Sequence, residues 1–432
     1  MKKGSVLVAI LMILSGLMTI GIGLTSVVTS SSIKIQRQYK RLSALAYAEA
    51  GVNKGLWKIN TGDLSYATGA DGILETDIEG GEYRVKIYEC PDIADCRYIE
   101  STGSTPTEAK PDATKTVRVR IDGIQIVTNI NFGFSIQSNS NEVELRNNST
   151  VKGSVYSNGK INMGTGTLIT GNATSAGATP TTSYIGTKGI VNGNGNAYTI
   201  TGTNVKGTKT TGLYPTPQPM PISDSELEDT IDAWEAVAAS GYNSPGSLTL
   251  TGNSELGPAK INGDLIINGD LKVNGVIWVS GNITIMDWSH VYLNSSYGNN
   301  SGVIIADYKA DRLSKGRITI GHNAVISGIQ KDNPKTTSYL LMFSTKTSTP
   351  ENWNTDAGYA IDLNDVGVLG GVYYAPFGSY HQKNHGLIRA VASNGLVLDQ
   401  NATIDYDGNW GNSGISTGPA GKWTITEWLI LD

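Results

Sequence analysis

From Val6 to Val28 the chain runs 23 residues without a charge, directly after Met1-Lys2-Lys3-Gly4. At about 1.5 Å rise per residue, such a segment crosses a ~30 Å hydrocarbon core as a helix. A secretory signal peptide has an apolar core of roughly 7–15 residues and a small-residue cleavage site close behind it. This run is longer and no such site follows directly, so the pattern predicts a spanning helix. Ser30 to Trp57 contains no proline, and Ile35, Leu42, Leu45, Val52 and Leu56 recur at near-helical spacing. One helix over residues 1–60, embedded at its start and amphipathic later, is the expectation. Within it Ser15, Thr19 and Gly23 fall four apart, small residues that permit close helix contact.

Beyond the helix the period changes from helical to alternating. Glu82–Tyr88 and Thr116–Ile121 alternate polar and apolar positions, and Tyr98–Ser101 forms a plausible strand between them. Residues 61–128 therefore read as a small antiparallel β module. From about Ile130 short apolar runs are broken by glycine and asparagine. Glycines 257, 263, 269, 275 and 281 stand six apart, and apolar residues such as Ile261, Leu265, Ile267 and Leu271 hold the first and fifth position of each hexad. A fixed six-residue period predicts stacked coils in which neighbours bury each other's apolar face, with glycine at tight corners. Residues 129–432 are accordingly expected to form a single-stranded β-helix of undecided hand. Asn172–Gly212 is expected to be irregular. After the proline-rich Tyr214–Pro221, the capping-box pattern Ser223-Asp224-Ser225-Glu226 predicts a helix near 223–240, with Leu227, Ile231, Trp234 and Ala238 on its docking face. The apolar Trp423–Leu431 is expected to cap the last coil.

Composition narrows the function class. Glycine numbers 52 of 432 residues, charged residues are 16% and the formal net charge is -5. A weak, mixed charge leaves no basic footprint for nucleic acid, while 39% hydrophobic content suffices for a packed core. Lys2 and Lys3 precede the apolar span and Lys34, Arg37, Lys40 and Arg41 follow it. Charge alone favours a cytoplasmic C-terminus, whereas the rest of the chain has extracytoplasmic character, so orientation stays open at this point.

Lys3-Gly4 followed by Ser5-Val6-Leu7-Val8-Ala9-Ile10-Leu11 resembles the leader junction of type IV pilin-like proteins. Ala44-Leu45-Ala46-Tyr47-Ala48-Glu49-Ala50-Gly51-Val52 is similar to the alanine-rich stretch of the PilX-like pilus assembly branch. The resemblance implies cleavage between Gly4 and Ser5, which would make Ala9 the fifth mature residue where pilins usually carry glutamate. Gly370–Gly378, Gly386–Ser393 and Ala402–Asp407 look like the C-terminal β-helix found behind PilX-like N-termini. It further implies a non-enzymatic structural or assembly component of a type IV pilus or related secretion filament. Such a component would be single-pass in the inner membrane, with an extracytoplasmic C-terminal domain, and would meet other pilin-like subunits through its N-terminal helix. The alternative is a surface adhesin that binds glycan or another cell through the β-helix.

Candidate chemistry is sparse. Cys90 and Cys96, with a five-residue spacer in one loop, suit a disulfide in an oxidising compartment better than a metal site lacking further ligands. His381 and His385 read as residues of a solvated loop. Asp264 and Asp270, with Lys272 nearby, read as turn residues bonding their own backbone rather than as an acidic groove. Asp405-Tyr406-Asp407-Gly408-Asn409 lacks the spaced ligand set of a calcium loop. Tyr373, Tyr374 and Trp410 are candidates to stack on sugars or to cover a core edge. No phosphate loop, dinucleotide fingerprint or nucleophile elbow is present. The expectation is a protein without catalytic residues, metal or cofactor.

Overall fold

The computed structural model describes residues 3–60, 65–91, 96–123, 127–128, 130, 132–202, 204–331, 338–364, 370–406, 415–416 and 423–431. A long N-terminal apolar helix is followed by a largely β body containing parallel sheets, and the chain divides into two compact units.

The first unit comprises residues 1–59, 63–122 and 424–432. Its helix, α1, spans Lys3–Asn60. Strands β1 (Ile73–Ile78), β2 (Gly81–Glu89), β3 (Cys96–Pro106) and β4 (Pro111–Gly123) pair in antiparallel succession. Alternation works as expected, with Tyr83, Val85, Ile87, Ile99, Val117, Val119 and Ile121 all buried. The helix face opposite them differs from the expected one. Ile35 and Leu42 are 64% and 65% exposed, whereas Ala44, Ala48, Gly51, Val52, Gly55 and Ile59 are buried. Small residues win here because sheet and helix approach too closely for larger ones. A side chain on Gly51 would strike Ser101 and Tyr83, and one on Gly103 would strike the helix backbone at Ala44 and Ala48.

Trp423–Leu431 does not cap a coil. It is the fifth strand of this sheet, next to β4. Residues 123–423, which with residues 60–62 make up the second unit, thus fall in the chain between two strands that are neighbours in the first. A strand that far along the chain carries no local signal of its partner.

The second unit is built by parallel pairing at regular intervals. Val143 lies opposite Ile161, Ile161 opposite Ile185, and Ile185 opposite Ile200. Thr150–Lys152, Leu168–Ile169, Ile190–Val191 and Asn204–Val205 form a second column, and Val155–Ser157, Ala173–Ser175, Gly195–Asn196 and Lys209–Thr210 a third. Residues 172–212, expected to be irregular, therefore carry short strands of this array. They lack long apolar runs because each strand buries two residues at most. In the hexad region Ile261 lies opposite Val279 and Leu265 opposite Ile283, and Asn282 N–H donates to Asp264 across 18 residues, three hexads. Glycine marks the corners because backbone stacks on backbone. Gly171, Gly193 and Gly207 each donate to the preceding glycine's carbonyl at 2.9–3.1 Å, where any side chain would collide with the layer beneath.

The layers do not follow chain order. Leu396 pairs with Val143 and Ile404 with Val151, so the last layer abuts the first. One apolar column then runs Leu248, Leu265, Ile283, Ile318, Ile361, Tyr380, Leu396, Val143, Ile161, Ile185, Ile200. Ten steps of ~4.8 Å put Ile200 and Leu248 about 48 Å apart, and the intervening chain must span that distance outside. Residues 214–222 do so as an extended strap, held by Tyr156 Oη to the Thr216 carbonyl (2.7 Å), Gln137 to Pro219 (2.6 Å) and Tyr374 Oη to Ile222 (3.2 Å). Helix α2, Asp224–Ala239, continues the path. Nine extended residues at ~3.1 Å and 16 helical residues at ~1.5 Å give about 52 Å, enough to close the gap.

The predicted docking face of α2 is the one buried. Leu227, Ile231, Trp234 and Ala238 pack with Trp278, Phe343 and Tyr374 in a second apolar cluster outside the main core. Trp234 meets Phe343 edge-on at 5.6 Å. Ser223 is the N-cap, but its hydroxyl bonds the Glu226 carboxylate (2.8 Å) rather than the helix backbone.

Candidate functional site

The apolar column has an outward neighbour, which reads Thr249, Ile266, Thr284, Thr319, Asp362, His381, Val397, Glu144, Asn162, Gly186, Thr201 by the same pairings. Polar and charged chemistry collects in its middle, where the last layer meets the first. Asp362 and His381 occupy adjacent strands and bond through Nδ1 at 2.7 Å. The other ring nitrogen, Nε2, lies 3.0 Å from Asp399. Arg317 bonds Asp362 at 2.6 Å, and Arg146 bonds Asp399 at 2.8 Å and Glu144 at 3.0 Å. The result is a chain of alternating charge: Arg317, Asp362, His381, Asp399, Arg146, Glu144.

Burial works against charge on His381, but its bonds and field from Asp362 and Asp399 outweigh it and raise the imidazole pKa. For Asp362 burial is likewise the largest influence, overcome by the bond from His381 and the nearby cations, so its carboxyl is held below the usual range. Asp399 behaves in the same way, with His381 and Arg146 outweighing burial. Arg146 is held charged chiefly by its bond to Glu144. The Tyr359 ring stacks on the imidazole at 4.1 Å, and burial pushes its phenol up to about 12.

Both imidazole nitrogens are spent on carboxylates, so this group holds strands together and locks the outer face. Beside it opens a polar groove of about 900 Å³, reached by Arg146, Asn162, Tyr184, Lys188, Asn384 and Asp399 among others. Tyr184 reaches across Gly186, in space that any side chain there would occupy, and its hydroxyl meets Thr201 at 2.7 Å.

None of the residues singled out in the sequence lines this groove. Gly4 and Ser5 are in the first turns of α1. Cys90 and Cys96 are joined by a disulfide with 5.3 Å between Cα atoms, and Cys90 N–H donates to the Cys96 carbonyl (3.1 Å). His381 is not in a solvated loop. It lies in the strand Val372–Gln382 and is 4% exposed, while His385 sits at φ 60° in the turn beyond. Tyr373 and Tyr374 are fully buried and unavailable to sugars. Trp410 and Asp407–Asn409 are outside the described residues. Asp405 faces Lys152 (3.4 Å) and Arg389 (3.9 Å). Asp264 serves the next layer through Asn282 rather than its own turn, and Asp270 lies inside the strand Leu265–Val273, paired to Lys331 at 2.6 Å. Lys272 is paired with Glu255. Among the described residues no group of three His, Cys, Asp or Glu is arranged to hold a metal.

Sequence reasoning missed Arg146, Tyr184, Asp362 and Asp399. Arg146 and Asp399 are brought together by a pairing across more than 200 residues, and no spacing motif announces any of the four.

No protein-family model and no curated protein matches the chain. Among solved structures it is similar to the competence-associated pilin ComZ from Thermus thermophilus, at 12% sequence identity and a TM-score of 0.30, covering 91% of this chain and 97% of that one.

Proposed function

We propose that the chain is a non-enzymatic, PilX-type component of a type IV pilus or related secretion filament. It is anchored by α1 and displays its β body, read as a single-stranded β-helix, outside the cytoplasm. The observation that carries this reading is the unpartnered apolar half of α1. Its best 18-residue window has a mean hydropathy of 2.1 and none of it is buried within the chain. Leu11, Met12, Ile13, Leu14, Leu17 and Met18 are each 60–71% exposed. Leaving so much apolar surface in water costs about 25 cal/mol per Å², so lipid or other apolar helices must cover it. In a bilayer that role falls to lipid; in a filament it falls to the equivalent helices of neighbouring subunits. The three columns of parallel strands, stacked by glycine corners, support the β-helix reading.

Truncation before Tyr39 tests the anchor. The shortened protein is expected in the soluble fraction, and retention in membranes sinks the reading. Mass spectrometry of the extracted full chain is expected to find Ser5 as first residue; an N-terminus at Met1 removes the filament arm and leaves an anchor alone. A second reading, a surface adhesin that binds glycan through the body, is favoured by the polar groove around Tyr184.

A further inference from the structure

We infer that the groove between Asp399 and Thr201 binds an oligosaccharide carrying a carboxylate, with one sugar ring stacked on Tyr184 and the acid on Lys188. This deepens the adhesin reading and rests on it.

The site exists because one position of the outward column is glycine. Asn162 and Thr201 flank Gly186 on adjacent strands, and Tyr184 reaches across the gap. The ring is pinned at its far end by Thr201 and is only partly buried, so its free face is presented to the groove. An aromatic ring already held in place loses little rotamer freedom on binding and offers an apolar surface with a polar tip. Sugars match that surface, since a pyranose has an apolar face of C–H groups and a rim of hydroxyls. Asn147, Asn162, Thr165, Asn384 and Gln400 supply amides and hydroxyls around it, the donor and acceptor mix that such a rim needs.

Charge selects among sugars. Arg146 is already bonded to Glu144 and Asp399, and those carboxylates to Arg146 and His381. This part of the groove is therefore rigid and its ionic capacity is used. Lys188 is exposed and has no carboxylate within salt-bridge distance among the described residues, so it is the groove's available cation. One ammonium suits a sparsely charged acidic glycan. A nucleic acid would place phosphates beside Glu144 and Asp399, which repel them. From Glu144 to Thr201 the floor crosses four paired strands, about 14 Å at ~4.8 Å spacing, long enough for a short oligosaccharide and too long for a single sugar.

The test is calorimetric titration of the detergent-solubilised full chain with glucuronoxylotriose (a tetrasaccharide with one carboxylate), neutral xylotetraose and a single-stranded oligothymidylate. Glucuronoxylotriose is expected to bind, xylotetraose at least fivefold more weakly, and the oligonucleotide not at all. Tyr184→Ala is expected to weaken glucuronoxylotriose binding tenfold or more. Tyr184→Phe, which keeps the ring and loses only its pin, should weaken it less than threefold. Lys188→Gln should bring glucuronoxylotriose down to the level of xylotetraose. No binding of glucuronoxylotriose, equal affinity for the neutral sugar, or a Tyr184-dependent site for the oligonucleotide each overturns the proposal. So does a Tyr184→Ala protein that melts like the wild type and binds like it. None of these variants touches α1, so failure here leaves membrane partition and N-terminal processing as separate readouts of the anchor.

Discussion

Replacing His381 by leucine removes the central charge of the buried chain that joins Arg317 to Glu144. The imidazole and its Asp362 partner are 5% and 3% exposed, so solvent screens their interaction weakly. Breaking a buried pair by deleting one member costs about 3–5 kcal/mol. Arg317 still faces Asp362, and Arg146 still faces Asp399, which places the loss at the lower end, about 3 kcal/mol. That loss depends on pH in a defined direction. The His381 pKa is raised on folding, so its charge contributes fully below its unfolded value of about 6.5 and the contribution fades as pH rises through the folded pKa. Asp362 and Asp399 are lowered; their contribution is complete above about 3.9 and fades as pH falls through their folded pKa values. The cluster is therefore most stabilising between about pH 4 and 6.5. Urea unfolding of the wild type and His381→Leu at pH 6 should differ by about 3 kcal/mol. At pH 9 the gap should shrink toward about 1 kcal/mol, the worth of hydrogen bonds to a neutral ring. An equal gap at both pH values, or a larger one at pH 9, refutes the charge-chain account.

Trp234→Ala empties a fully buried site between α2 and the body and should cost about 3–5 kcal/mol in urea unfolding, as large aromatic truncations do. Gly103→Val forces a side chain into the α1 backbone at Ala44 and Ala48. Faster proteolysis of α1 and the small sheet should follow, with the second unit's protease-resistant core unchanged. Joint replacement of Cys90 and Cys96 by serine opens a loop closed at a sequence separation of 6. The chain-entropy relation gives about 2 kcal/mol for so short a loop, measurable as a lowered unfolding midpoint that added reductant reproduces in the wild type.

The sequence by itself determined the elements whose cause is local. Twenty-three uncharged residues dictate an apolar helix, alternation in Glu82–Tyr88 dictates a strand with one buried face, and glycines six apart dictate close-stacked corners. The helix at 224–239 and its docking face were legible for the same reason, since Leu227, Ile231, Trp234 and Ala238 recur at helical spacing. What only the tertiary structure decided is which distant segments meet. Leu396 pairs with Val143, and Trp423–Leu431 joins the sheet beside β4. Each strand there is short and apolar, and many registers satisfy that pattern equally, so choice among them falls to the summed packing of all layers and to the strap that bridges them. The site followed the same rule. His381 looked like loop because glycines and polar residues surround it, yet parallel neighbours supply Asp362 and Asp399, which convert an isolated polar side chain into a buried charge with two partners.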